Sequence, residues 1–208
     1  QADTLSRELA RGDETVEVFV CMRYWHPMSD SVAAAVKAFG PDEIVLLPLY
    51  PQFSTTTVGS SLTDWHRAAA KIGLSVPTRA ICCYPIDRGW IAAQADLVGQ
   101  AVADSPDETR VLFSAHGLPC KVVDGGDPYQ WQVEQTAAAV VSAMGGHDDW
   151  AVCYQSRVGP LKWIGPSTED ELARAAKDGT GVIVVPIAFV SEHSETLVEL
   201  DVEYRELA

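Results

Sequence analysis

A chain of 208 residues, 47% hydrophobic and 21% charged, is long enough to bury one large core or two small ones. Its formal net charge of -14, with no local cluster of Lys and Arg to offset it, repels phosphate backbones and excludes nucleic acid as a partner. There is no uninterrupted apolar run long enough to span a bilayer. The opening QADTLSRELARGDE has no basic region followed by an apolar core, so neither a membrane span nor a secretion signal is expected.

Short β-branched runs alternate with longer amphipathic ones, the order that produces parallel sheets covered by helices. In chain order the predicted strands are Val16 to Met22, Ile44 to Leu49, Thr78 to Cys82, Val111 to Ala115, Ala151 to Tyr154 and Val182 to Ile187. The predicted helices are Asp30 to Phe39, Thr57 to Ile72, Trp90 to Ala103, Tyr129 to Met144, Thr168 to Lys177 and Ser194 to the end. Gly40, Gly73, Gly145-Gly146 and Gly179 stand where left-handed caps close helices. Thr168 with Glu171 has the form of a capping box.

The chain echoes itself. IVLLPL at Ile44 to Leu49 is matched by VIVVPI at Val182 to Ile187. The strand ending at Arg23 is matched, at a nearly equal offset, by the one ending near Arg157. Two similar α/β halves are therefore expected, residues 1–103 and 104–208, with DSPDET as the linker. Ligands of such folds sit beyond the C-terminal ends of the strands, which makes the cleft between the two sets of ends the expected site.

Polar residues at those ends are the candidates: Arg23, Tyr24 and His26; Tyr50 and Gln52; Ser114 and His116; Gln155, Ser156 and Arg157; Glu192, His193 and Glu195. His116 ends an apolar strand and precedes the rigid turn Gly117-Leu118-Pro119, which presents an imidazole able to take a proton or ligate a metal. Glu192, Glu195, Glu199 and Glu203, spaced three, four and four apart, would line one face of a helix, as a path for a cation or protons or as a solvated acidic surface. His193 and Glu195 point about 200° apart on a regular helix and cannot share one ion, so Glu195 is favoured for the centre and His193 for its neighbourhood. The loop from Gln155 to Pro166 carries Arg157, Lys162 and Trp163, suited to a flat anionic ligand. Five scattered cysteines without a C-x-x-C pair read as reduced, mostly buried thiols.

Five ordered motifs carry a resemblance: MRYWHP from Met22; LYPQFS with TVGSSL; FSAHGLP with GDPY; Tyr154 to Thr168; and PIAFVSEHSETL from Pro186. Together they resemble the ferrochelatases of heme synthesis over essentially the whole chain. The resemblance implies a chelatase-like pair of Rossmann-like halves, a protoporphyrin-type substrate, and Fe2+ as the second substrate. It places the metal-site and catalytic roles on His116 and Glu195. Arg23, Tyr24, Tyr50, Trp163 and Phe189 fall near the porphyrin or its cleft wall, and Glu199 and His193 on the metal or proton path. It further implies N-terminal and C-terminal segments beyond these residues, a cytoplasmic place peripheral to the inner membrane, and transient contact with a membrane or another heme-pathway enzyme. No iron-sulfur cluster is expected. The competing readings are a cobalt or nickel chelatase for another tetrapyrrole, and a porphyrin-binding fragment that does not turn over.

Overall fold

The computed structural model describes residues 1–10, 15–105, 108–191 and 195–207, at Glu195 for the backbone alone. The chain forms two compact units, Gln1–Pro48 with Thr55–Ile81, and Leu49–Ser54 with Cys82–Ala208.

In the first unit, helix α1 (Ala2–Leu9) buries no residue, whereas α2 (Ser29–Phe39) and α3 (Ser60–Lys71) build a core. Val32, Ala33 and Val36 of α2 meet Trp65 and Ala68 of α3, the i, i+3, i+4 spacing that puts apolar side chains on one helical face. Gly40 closes α2 at φ 72°, a left-handed conformation that a Cβ disfavours. Strands β1 (Ile44–Leu46) and β2 (Thr78–Ala80) pair in parallel, Ile44 opposite Thr78. A single π-helical turn, Thr55–Gly59, leads into α3.

The expected strand at Val16 to Met22 does not form. The Met22 N–H donates to the Pro27 carbonyl at 2.8 Å, closing a local turn instead of a ladder, while Val20 and Met22 stay exposed. Phe19 packs edge-on to Phe39 with ring centroids 6.0 Å apart.

The second unit is organised around β3 (Thr109–His116), flanked in parallel by β4 (Trp150–Gln155) and β5 (Gly181–Pro186). Helix α6 (Tyr129–Ala143) connects β3 to β4, and α7 (Thr168–Asp178) connects β4 to β5. Every residue of β3 up to Ala115 is buried, as a central parallel strand requires. Val111, Phe113 and Ala115 face Val133, Ala137 and Val140 of α6 and Ile91, Ala95 and Val98 of α4 (Arg88–Ala103). Leu112 points the other way, toward Cys153, Leu172 and Tyr204.

Because α4 packs on α6, the compact units do not divide at the boundary expected after residue 103. The segment Leu49–Ser54 likewise joins the second unit. Helix α7 is capped one residue earlier than expected: Ser167 accepts from the Asp170 N–H at 3.0 Å, and Asp170 accepts in return from the Ser167 N–H. Glu171, freed from that role, takes two bonds from Arg174 instead.

At the N-terminal end of β3 the buried Arg110 donates to Asp149 at 2.6 Å and to Asp178 at 3.0 Å. The bond from Arg110 holds the Asp149 carboxyl below the usual carboxylate range. A lowered folded pKa adds stability above the unfolded value of about 3.9, and that stability is lost as pH falls through the folded pKa. Asp149→Asn is therefore expected to cost about 1 kcal/mol at neutral pH, because its partner is buried but Asp149 itself is half exposed. Urea titrations should show the gap between variant and wild type closing below about pH 3.5.

Candidate functional site

His116 is the first residue of β3 to leave the core, half-buried and opposite Gln155 of β4. The turn after it is fixed from below. Gly117 donates to the Gln155 carbonyl at 2.8 Å, and Pro119 bridges to Trp163 in antiparallel fashion. Cys120 donates to Lys162 at 2.8 Å and Ile164 to Leu118 at 2.9 Å, so the two loops are laced together just before helix α5 (Cys120–Asp124). A Cβ at position 117 would lie 3.0 Å from the Gln155 oxygen, 3.1 Å from Arg157 Cγ and 3.4 Å from Trp163 Cε3. Only glycine lets Trp163 and Arg157 pack this closely beneath the His116 turn.

Beyond the tip of β4, Ser156 adopts φ 59°, unusual for a residue with a side chain, and donates to Glu199 at 2.6 Å. Glu199 lies on a π-helical segment, Glu195–Tyr204, followed by α8 (Arg205–Leu207). The expected α-helix there is π-wound, so the regular-helix angle between neighbouring side chains does not apply to it. Tyr204, at the end of that segment, is buried and donates to Glu169 at 2.9 Å; burial and the nearby carboxylate push its phenol up. Arg157, Gly159, Leu161, Trp163, Ser167 and Glu169 line an open, mainly polar groove of about 360 Å³.

Leu49–Ser54 is sewn to the same end of this sheet. Gln52 donates to Thr136 at 3.0 Å and to the carbonyl of Ile187, just past β5, at 3.2 Å. The Phe53 N–H donates to Gln132 at 2.7 Å, and Ser54 donates to Asp127 at 3.0 Å. Tyr50 thus stands exposed on a well-anchored segment, and Phe189 packs partly buried against the α6 core.

The structure therefore brings His116, Tyr50, Trp163, Phe189 and Glu199 onto elements of one unit. Arg23 and Tyr24 belong to the other, where Arg23 donates to Ser60 at 2.9 Å and stacks over the Tyr24 ring at 4.7 Å. His193 and Glu192 lie outside the described residues, and so does the side chain of Glu195. Among the described residues, no three His, Cys, Asp or Glu side chains gather around one point.

Several of the polar strand-end candidates are buried and hydrogen-bonded within the core. Ser114 donates to Gln155 at 2.7 Å, and the Thr168 hydroxyl lies 2.9 Å from Ser114 and 3.4 Å from Cys153, all four buried. Cys153 is the one cysteine of the five that is fully buried, against the expectation of mostly buried thiols, and burial pushes it up to about 11, so it stays protonated. Ser60, which steadies Arg23, was visible only as part of a motif; its partner 37 residues away leaves no local signal.

A family model for ferrochelatase matches residues 1–208. A ferrochelatase of Phenylobacterium zucineum is 57% identical over the whole of this chain and 61% of its own length. One of Caulobacter vibrioides is 56% identical over all of this chain and 60% of its own. The chain thus spans about three-fifths of the length of these curated relatives. Among solved structures, SirB from Bacillus subtilis with Fe3+ superimposes with a TM-score of 0.65 over 99% of this chain and 75% of that one, at 15% identity, a likeness of fold. With a family match over its full length, on a parallel α/β scaffold that ends its central strand in His116, the chain belongs to the ferrochelatase family.

Proposed function

We propose that the protein containing this chain inserts ferrous iron into protoporphyrin IX or a closely related porphyrin, forming heme. The observation that carries the reading is His116: an imidazole held at the tip of a strand buried up to Ala115, in the FSAHGLP motif of a chain matched along its length to ferrochelatase. Insertion replaces two pyrrole N–H protons with the metal, so the site needs a base, and a neutral imidazole can accept a proton near neutral pH. Glu195 is assigned the facing carboxylate that holds the arriving Fe2+. Glu199, fixed by Ser156, and His193 are assigned to the path by which metal arrives or protons leave. Trp163, Phe189, Tyr24 and Tyr50 are assigned apolar contact with the macrocycle. No iron-sulfur cluster enters this reading.

No helix among the described residues is long and apolar enough to cross a membrane. A cytoplasmic location at the inner membrane surface fits this reading, with transient contact to a membrane or to an enzyme that supplies the porphyrin.

Insertion rates of Fe2+, Co2+ and Ni2+ into protoporphyrin and sirohydrochlorin test the assignment. Fe2+ with protoporphyrin should be the preferred pair; preference for Co2+ or Ni2+ with sirohydrochlorin would replace it with a different chelatase. Arg23 supplies a test of substrate contact. A charge-assisted bond from its guanidinium to a propionate corresponds to roughly a ten- to hundredfold loss of affinity in Arg23→Ala. That loss, read by porphyrin absorbance titration, should shrink with a porphyrin diester. Equal losses for acid and ester would leave Arg23 holding Ser60 and Tyr24 rather than the ligand.

A further inference from the structure

Cys82 and Cys83 follow β2, adjacent in sequence, with their sulfurs 3.3 Å apart. That separation lies within the roughly 3–3.5 Å at which reacting atoms are already in a near-attack arrangement. Cys82 is exposed and Cys83 partly buried, an asymmetry that gives one thiol access to solution and shelters its neighbour. Burial, then the neighbouring Cys82 thiol, raises Cys83, while an N–H of Gln132 points at its sulfur from 3.8 Å and favours the thiolate. The same Gln132 side chain accepts the Phe53 N–H at 2.7 Å, so one carboxamide joins the thiol pair to the segment that carries Tyr50 and Gln52.

We propose that Cys82 and Cys83 form a reversible oxidation site that exchanges with low-molecular-weight disulfides, and that its state is transmitted through Gln132 to Phe53. The Cys82 thiolate attacks one sulfur of the small disulfide, breaks its S–S bond and expels the first thiolate. The Cys83 thiolate then attacks Cys82 Sγ, breaks the mixed disulfide and expels the second. Two protein thiols are oxidised to one disulfide, one small disulfide is reduced to two thiols, and the two protons pass to the departing thiolates. Adjacent Cα atoms lie about 3.8 Å apart, shorter than the usual 4.4–6.8 Å of a disulfide, so the closed pair is readily reduced again and suits a labile site rather than a structural staple.

Cys21 provides an internal control, since it is exposed and its sulfur lies 3.5 Å from the Ser29 hydroxyl rather than against a second thiol. The chain is treated with oxidised glutathione, digested without reduction and weighed by mass spectrometry, and amide exchange at Phe53 is compared between the oxidised and reduced forms. The peptide holding Cys82 and Cys83 should lose two hydrogens and carry no adduct, while Cys21 retains a glutathione adduct. Cys83→Ser should stop at an adduct on Cys82. Phe53 exchange should quicken roughly tenfold on oxidation, the loss of about one hydrogen bond. A lasting glutathione adduct on Cys82 of the wild type, failure of the pair to react, or unchanged Phe53 exchange would each overturn the proposal.

Discussion

His116→Ala is expected to lower the rate of iron insertion by about a hundredfold or more while leaving the melting temperature nearly unchanged. The two halves of that expectation rest on different observations. The rate falls because the proposed reaction must dispose of two pyrrole protons, and no other imidazole among the described residues ends a buried strand of this sheet. Stability holds because His116 is the residue at which β3 leaves the core. Its neighbours from Thr109 to Ala115 are buried, and the turn beneath it is fixed by backbone bonds from Gly117, Cys120 and Ile164 that an alanine leaves in place. Fluorimetric insertion assays with circular-dichroism melts separate the two effects. A variant that keeps more than about a tenth of the rate would remove His116 from the chemistry. A large drop in melting temperature would instead make it a structural residue.

What could be read from the residues divides along physical lines. The apolar run at Val111 to Ala115 and the glycine stops at Gly40 and Gly179 are local features, and the structure keeps them as β3 and as left-handed helix ends. The β-branched run at Val16 to Met22 looked equally like a strand, but it finds no ladder partner among the described residues, and its end closes a local turn through a bond from Met22 to Pro27 that no periodicity reports. In the series Ser167-Thr168-Glu169-Asp170-Glu171 two capping frames fit the same pattern. The Thr168 hydroxyl is engaged inward with Ser114 and Cys153, and the cap falls on the earlier frame. Placing Leu49–Ser54 with the second unit required contacts spanning 84 and 135 residues from Gln52, which are invisible in any local window. At the candidate site, His116 stood out because it ends an apolar strand. The work of Ser114, Gln155 and Gln52 could not be separated from it, because a buried hydrogen-bonded residue and a ligand-facing one look alike in sequence until the partner is placed.

The largest expected loss of stability belongs to a residue with no part in the chemistry. Phe113 has no exposed surface, sits at the middle of the central strand, and meets Trp150 edge-on with ring centroids 5.8 Å apart. It also touches the layer formed by α4 and α6, so three elements close around it. Removing the ring forfeits its transfer free energy and leaves a void among side chains already near crystal density, a combination that costs about 3–5 kcal/mol for Phe→Ala. For a chain of this size that corresponds to a fall of roughly 6–20 °C in the melting temperature. Phe113→Leu, which refills most of the volume, should recover more than half of the loss. The contrast with His116, three residues along the same strand, is the informative part: the two alanine variants should separate into one that melts early and one that melts normally but does not turn over. If Phe113→Ala melted within about 3 °C of the wild type, the packing of α4 and α6 on β3 would have to be looser than the buried cluster implies.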